Sequence, residues 1–354
     1  MGNAENAGSR SVWSWVLPSV LAAVLLYFSL RGVEWRSVWT TIATARWQYI
    51  AAAGLITCWS FFLRACRWRI LLNAEAHFSV GTVFWANMAG YLGNSFLPAR
   101  AGELVRSFII SSQSSLSRTY VLTTALSERT MDALALVLWS SVVLLGVNPK
   151  PRWLDGVGRT MAVMAGAGLL AIVVLPHTGN LCQGMIRRLP LPAALKGKLL
   201  VLAEQVLLGL RAFHNVKRMA GFGLLTVVIW MSDAAGVMVG ATGLGLHLSF
   251  AVAALLLAAL GLSSALPSTP GYVGIYQFVA VSVLTPFGVS RDLAVAYILI
   301  FQAMNYVVVL IFGLPGLYRF RGWRRAGMTS LPSPAWSQST ADPAPGAPPC
   351  SPHS

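Results

Sequence analysis

The sequence predicts an all-α fold, a polytopic bundle of transmembrane helices, and three observations support this. Hydrophobic residues make up 56% of the 354 residues, and the mean hydropathy is +0.66. Charged residues make up only 10% of the chain, against about 25% in soluble domains. Apolar runs long enough to cross the hydrocarbon layer recur along the chain. We expect about six to eight spans of about 20 residues each, some of them broken or re-entrant, and no soluble domain of useful size.

Six apolar runs indicate ordinary spanning helices. The first run follows Arg10 and is similar to a signal peptide, but no clear small-x-small cleavage site comes after it, so we expect a retained helix. Residues 1–12 are then a cytoplasmic N-terminal segment, and 13–320 form the multi-pass domain. The stretch 321–354 is basic and then Pro/Ser-rich, without apolar periodicity, which predicts a disordered tail. The six runs are 13–30, 47–63, 119–147, 160–176, 219–243 and 292–315.

Two further apolar stretches are interrupted. The stretch 80–97 is rich in asparagine and glycine and stops at Pro98. The stretch 249–266 stops at Pro267 and is followed by another apolar run, 271–287. Non-helical backbone at membrane depth is tolerated only where it is buried in protein or lines a cavity. We therefore expect two broken or re-entrant helices that help to form a site.

The two breaks echo each other in sequence. Residues 94–103 and 263–272 share the order small-polar, small-polar, any residue, Leu, Pro, and then Gly four positions later. Transporters built from repeats carry broken helices at corresponding positions, so we predict an internal repeat whose breaks meet in the core. The alternative is coincidence, because Leu-Pro and Gly are common at membrane helix breaks. The residues expected to shape the breaks are Asn94, Pro98, Gly102, Pro267, Pro270, Gly271 and Gly274.

The net charge of +15 would suit nucleic acid in a soluble protein. Here the basic residues lie mostly between apolar runs, so we predict no nucleic-acid partner and contacts with anionic lipid instead. By the positive-inside rule, the loop 177–218 and the C-terminal flank are cytoplasmic. Arg64, Arg67 and Arg69 predict a further cytoplasmic loop after the second run. Several basic residues in loops that this scheme places outside weaken the topology.

The densest group of charges is Arg100, Glu103 and Arg106. If a helix starts near Pro98, these side chains share one face. Arginine binds phosphate well because its planar fork donates two hydrogen bonds and stays charged, and a lipid headgroup supplies the phosphate. The alternative is an interfacial helix whose arginines reach the membrane surface and pair with Glu103.

A second group of charges, Glu128, Arg129 and Asp132, lies inside the apolar run 119–147. Ionisable residues within a membrane span are functional candidates by default, because an unpaired charge there is unfavourable by several kcal/mol. We expect Arg100 or Arg106 to pair with these carboxylates. The alternative places residues 128–132 at the membrane interface and leaves a short span after them.

Two polar positions remain within spans. Asp233 shares a helix face with Gly236 and Gly240 and is expected to face protein, where it binds substrate, carries a proton or accepts hydrogen bonds. Gln302 and Asn305 face one way, and polar contact between helices is their simplest interpretation. The chain shows no nucleotide loop, no C-x-x-C and no H-E-x-x-H, so we expect no cofactor and no metal site.

Together these motifs are similar to the flippase-like transmembrane domain of lysylphosphatidylglycerol synthases. The resemblance is carried by residues 97–106, by Glu128-Arg129 with Asp132, by 267–274 and by the cluster at 67–69, and it covers about residues 13–320. It implies a stand-alone, multi-pass protein of the bacterial plasma (inner) membrane that binds or moves lipids, which could be phospholipids, aminoacyl lipids or polyprenyl-linked lipids. The full synthases add a soluble aminoacyl-transferase domain. This chain has no such segment after residue 320, so we do not expect it to make lysyl-lipid by itself.

Three functions stay open at this point. The first is a lipid flippase or transporter that is not an enzyme and binds anionic or aminoacylated headgroups. Arg100 and Arg106 would bind the headgroup phosphate, and Glu103, Glu128 and Asp132 would balance these arginines or meet a cationic headgroup. The second is a membrane-embedded transferase for lipid-linked substrates, with Glu128 and Asp132 holding a metal or acting as a base. The third is a non-transporting partner of a lipid-modifying enzyme. The predicted substrate-binding set is Arg100, Glu103, Arg106, Glu128, Arg129, Asp132 and Asp233, with no catalytic residue.

Overall fold

A computed structural model of the chain describes residues 22–97, 101–146, 215–264 and 270–321, and a few single positions elsewhere. All regular structure within these ranges is helical, which confirms the all-α prediction. The predicted span 160–176, the segment 1–12 and the tail after Arg321 lie outside the described ranges.

Ten α-helices follow one another in the described part of the chain. The first six precede the gap at 147–214, and the last four follow it. The first six are α1 (22–30), α2 (Trp35–Ala43), α3 (Trp47–Leu72), α4 (Val80–Phe96), α5 (Gly102–Ser112) and α6 (Arg118–Gly146). The last four are α7 (Val216–Thr242), α8 (Phe250–Ser263), α9 (Ile275–Leu284) and α10 (Arg291–Arg319).

Several helices start at a polar residue whose side chain accepts a hydrogen bond from the first turn, which is the usual N-cap arrangement. Ser79 accepts from the Thr82 amide at 3.1 Å, and Asn215 accepts from the Lys217 amide at 3.0 Å. Ser249 and Ser290 do the same for α8 and α10. These caps explain why apolar segments begin where they do.

Three described helices are long and apolar enough to cross a membrane: α3, α7 and α10. Two shorter apolar helices, Phe250–Ser263 and Ile275–Phe287, accompany them; the second is α9 extended by a 3₁₀ turn. Three such helices indicate a multi-pass membrane protein. The total of about six to eight spans and the internal repeat stay predictions.

One sequence prediction is wrong. The second apolar run was expected to end at residue 63 and to be followed by a cytoplasmic loop, but α3 continues to Leu72. Arg64, Arg67 and Arg69 therefore lie within the helix, and Arg67 is fully buried. Acidic side chains of other helices pair with Arg64 and Arg67, as described below, and Arg69 donates to the Phe78 carbonyl at 2.6 Å. The arginines are therefore no evidence for a loop.

Small residues allow the helices to approach closely. Along α7, β-carbons added at Gly236 and Gly240 would lie 3.3 Å from Ile56 and 3.4 Å from Ala53 of α3. Glycines of α10, Gly313 and Gly316, contact α4 in the same way. Asp233 shares this face of α7 and so faces protein, in agreement with the sequence.

Both interrupted segments contain helix ends. α4 ends at Phe96 and α5 begins at Gly102, whose amide donates to Asn94 Oδ1 at 2.9 Å. In the second segment, α8 ends at Ser263 and a 3₁₀ turn, Pro270–Tyr272, leads to α9. Left-handed backbone at Gly271 (φ 74°) and Gly274 (φ 91°) makes this bend, which favours glycine at both positions. Pro98 and Pro267 lie outside the described residues.

Candidate functional site

Eight charged side chains from α3, α5, α6 and α7 form one cluster inside the bundle. Four are arginines and four are acids, so the described cluster has no net formal charge. Buried charges are tolerated where they are paired and hydrogen-bonded. The arginines are Arg64, Arg67, Arg106 and Arg129, and the acids are Glu103, Glu128, Asp132 and Asp233.

Arg67 lies at the centre of this cluster and is 0% exposed. Its two terminal nitrogens donate to both carboxylate oxygens of Asp132, at 2.6 and 2.8 Å. They also donate to Glu128 at 2.9 Å and to the Thr226 hydroxyl at 3.1 Å. One side chain thus connects α3, α6 and α7.

Arg106 is buried on the other side of Glu128 and is 1% exposed. It donates to Glu128 Oε2 and to Asn87 Oδ1, each at 2.9 Å, and its Nε lies 2.5 Å from Glu103. Its guanidinium also lies over the Trp68 ring, 4.5 Å from the centroid. The geometry shows Arg106 enclosed by protein, where it positions Glu103 and Glu128.

Arg64 and Arg129 form the outer edge of the cluster. Arg129 donates through Nε to Glu103 at 2.8 Å, and Arg64 donates through Nη2 to Asp233 at 2.6 Å. The Nη1 atoms of both arginines lie 3.8 Å from the same oxygen, Asp132 Oδ2. The two nitrogens are therefore at most twice that distance apart.

This outer edge borders a cavity of about 270 Å³. Arg64, Arg129 and Asp233 line it, and much of the remaining wall is aromatic. Both interrupted segments reach it, through Asn94 and Ser95 at the end of α4 and through Ser264 and Gly271 after α8. The aromatic lining residues include Tyr91, Trp230, Tyr272, Tyr276, Phe301 and Tyr306.

Hydrogen bonds hold the second interrupted segment against α10. The Gly271 carbonyl accepts from the Tyr306 hydroxyl and, at 3.2 Å, from Gln302 Nε2. Gln277 donates to Gln302 at 2.5 Å and accepts from the Gly274 amide at 2.7 Å. Gln302 therefore makes a polar contact between helices, as its simplest interpretation expected. Asn305 donates to the Phe301 carbonyl of its own helix, and both side chains line the cavity.

Six of the seven predicted site residues lie in this single cluster: Glu103, Arg106, Glu128, Arg129, Asp132 and Asp233. Arg100 lies outside the described residues. Sequence reasoning missed Arg64 and Arg67 as members. The available signal was their spacing, since residues three apart share a helix face and continue a helical pattern past residue 63.

The cluster supplies cationic donors beside a partly aromatic cavity, an arrangement that can bind an anion attached to an apolar group. Among the described histidine, cysteine and acidic side chains, no group of three or more could hold a metal ion.

Comparison with known proteins places these features in a family. The family model described as lysylphosphatidylglycerol synthase TM region matches residues 15–313. Comparisons with curated proteins and with solved structures gave no match. The matched segment includes every residue of the charged cluster and of the cavity, and the family relates the protein to membrane lipid. The chain is a multi-pass membrane protein and belongs to the lysylphosphatidylglycerol synthase TM region family.

Proposed function

We propose that the protein binds the phosphate of an anionic or aminoacylated lipid headgroup in the cavity and moves that lipid across the membrane. One observation carries the proposal. Two guanidinium groups, those of Arg64 and Arg129, present their Nη1 atoms beside the same oxygen of Asp132 at the wall of a cavity between broken helices.

Hydrogen-bond donors for a phosphate are available where Arg64 and Arg129 line the cavity. Within the described part of the chain, the terminal nitrogens of Arg129 and Nη1 of Arg64 donate no hydrogen bond. The Arg129 side chain is 25% exposed, far more than Arg67 or Arg106. One phosphate that accepts at about 2.9 Å on each side can bridge two guanidinium groups at such a separation. The aromatic walls suit the apolar part of a lipid near its headgroup.

This proposal changes the role that the sequence suggested for Arg106. That residue is enclosed and already bonded to Glu103, Glu128 and Asn87, so it positions the acids and does not meet the headgroup. Glu103, Glu128 and Asp132 pair with arginines of the cluster, and Asp233, for which the sequence left several roles open, pairs with Arg64. A phosphate contact by Arg100 stays a prediction.

The transferase hypothesis has less support. It assigns metal binding or general-base chemistry to Glu128 and Asp132, but both carboxylates accept hydrogen bonds from Arg67. Neither of them lines the cavity. We further propose a location in the bacterial plasma membrane with a cytoplasmic C-terminus, which follows from the family and from the basic C-terminal flank.

Lipid movement in proteoliposomes tests the proposal. The protein is reconstituted with tail-labelled fluorescent phosphatidylglycerol, and dithionite reports the labelled lipid that reaches the outer leaflet. We expect movement by the wild type, its loss in Arg129→Ala and in Arg64→Ala, and no change in Arg36→Ala, whose side chain is exposed. Wild-type rates in both cavity variants would contradict the proposal. Lipid binding without movement would favour the role of a non-transporting partner of a lipid enzyme.

A further inference from the structure

The described cluster has no net formal charge, and this affects how an anion can bind in the cavity. In the described cluster, each of the four arginines has an acidic partner. A lipid phosphate would add one negative charge, and no arginine of the described cluster is left unmatched to meet it. An uncompensated charge in a low-dielectric site is unfavourable, so binding favours the uptake of a positive charge.

The four acids differ in how strongly arginines hold them. Glu128 contacts both Arg67 and Arg106. Glu103 contacts Arg106 and Arg129. Asp132 receives the two-pronged contact from Arg67 and lies 3.8 Å from two further arginines. Each of these three carboxylates therefore has at least two arginine neighbours.

Asp233 has fewer arginine neighbours in the described structure than the other three acids. Within the described residues it contacts one arginine, Arg64, at 2.6 Å. Its side chain is 16% exposed, the most of the four acids, and it lines the cavity. A phosphate that accepts a hydrogen bond from Arg64 therefore competes with Asp233 for its only described cationic partner.

We infer that the cavity binds its anionic headgroup together with one proton, which is taken up from water by the Asp233 carboxylate. This inference rests on the proposed function. Protonation removes the repulsion between Asp233 and the phosphate, transfers Arg64 to the phosphate and returns the described cluster to zero net charge. The full ligand is the anion plus a proton.

Among the described residues that line the cavity, no other group competes for this role. α3 presents Arg64, with Asp132 of α6 behind it, and Arg129 faces the same cavity. α8, which packs on α7, contains no titratable residue. Arginine and tyrosine side chains keep their protons between about pH 6 and pH 8. The nearby tyrosines are Tyr91, Tyr272, Tyr276 and Tyr306 at the cavity, and Tyr297, which donates to the Val237 carbonyl of α7.

Calorimetry of the purified full chain in detergent tests the inference. The probe is dihexanoyl phosphatidylglycerol, a phosphodiester whose charge stays constant between about pH 6 and pH 8. Titrations in buffers of different ionisation enthalpy count the protons taken up per lipid. We expect uptake approaching one proton in the wild type, with affinity falling by up to about tenfold per pH unit as the pH rises.

Asp233→Asn should bind the probe without proton uptake and with the same affinity at every pH. Asp233→Glu should keep the uptake, and so should Asp292→Asn, which removes a carboxylate that accepts from the Glu34 amide. Lipid binding by the wild type without proton uptake would overturn the inference and leave the proposed function intact. Persistent uptake in Asp233→Asn would overturn it as well. Absence of lipid binding by the folded wild type at every pH would overturn both. If Asp233→Asn does not fold, the proton count of the wild type decides.

Discussion

Arg67 and Asp132 are 65 residues apart in sequence, yet Arg67 donates a hydrogen bond to each carboxylate oxygen of Asp132, at 2.6 and 2.8 Å. The pair joins α3 to α6, and Glu128 extends it to Arg106 and α5. The inner arginines hold the cluster together, and the outer arginines face the cavity. Substitutions at inner and outer positions should therefore have different effects.

Arg67→Ala should destabilise the folded protein. It leaves Asp132 and Glu128 buried without their main partner, a loss of about 3–5 kcal/mol in comparable buried pairs. Thermal unfolding in detergent, followed by tryptophan fluorescence, measures the change. Arg36→Ala is the control, because this arginine is exposed and should have almost no effect. An unchanged melting temperature for Arg67→Ala would contradict the central position of Arg67.

Gly102→Ala should weaken the contact between α4 and α5. The added β-carbon would overlap the Gly90 carbonyl oxygen and lie 2.6 Å from the Asn94 amide, so the helices must separate. Overpacking of this kind destabilises by about 1–3 kcal/mol. Gly223→Ala is a matched control on α7, since no atom lies within 4 Å of the added carbon. Helix propensity predicts that the control gains up to about 1 kcal/mol. Equal melting temperatures for the two variants would contradict this packing.

The turn at Gly271 should respond differently to two substitutions on α10. Tyr306→Phe removes one of the two donors to the Gly271 carbonyl, a change of about 0.5–1.5 kcal/mol. Gln302→Leu removes the other donor and also deprives the buried Gln277 amide of its acceptor, so its effect should be larger, about 1–3 kcal/mol. Chemical unfolding in mixed micelles measures the free energy of unfolding of the two variants. Tyr318→Phe, at an exposed position, is the control and should leave the stability unchanged. A larger loss of stability for Tyr306→Phe than for Gln302→Leu would contradict these hydrogen bonds.

Arg129→Lys tests whether the positive charge of Arg129 is sufficient or whether the hydrogen-bonding geometry of its guanidinium group is also required. Lysine keeps the positive charge but cannot bond Glu103 through Nε and still present two terminal nitrogens to a phosphate. Loss of one charge-assisted hydrogen bond is about 1.5 kcal/mol, so lipid movement should fall by about tenfold, less than in Arg129→Ala. Arg218→Lys, at the start of α7, should keep the wild-type rate. A lysine variant as active as the wild type would show that charge alone suffices.

The positions of the described helices could largely be predicted from hydropathy and helix-breaking residues. There are two exceptions. No predicted run covers α2, and the end of α3 was placed too early because a hydropathy scale treats Arg67 as a charge in water. Its side chain instead meets carboxylates that follow 61 and 65 residues later. Sequence alone does not show which distant segment compensates a charge.

In the candidate site, too, the sequence indicated the buried charges but not all of their partners. Glu128, Asp132 and Asp233 could be selected because ionisable residues inside apolar runs require partners. Arg106 was expected as one partner of these carboxylates and is one. Its enclosure could not be foreseen, since it depends on Asn87 and Trp68 of other helices. The partner of Asp233, Arg64, lies 169 residues away, which is why the cationic edge of the cavity was not recognised.

The position of a bound lipid phosphate tests the central claim most directly. Electron cryomicroscopy of the protein in nanodiscs that contain phosphatidylglycerol, with a Fab fragment to aid alignment, can locate it. We predict phosphate density in the cavity, about 3 Å from terminal nitrogens of both Arg64 and Arg129, and its loss in Arg129→Ala. A cavity without phosphate, with lipid headgroups bound only at the outer surface of the bundle, would contradict the account.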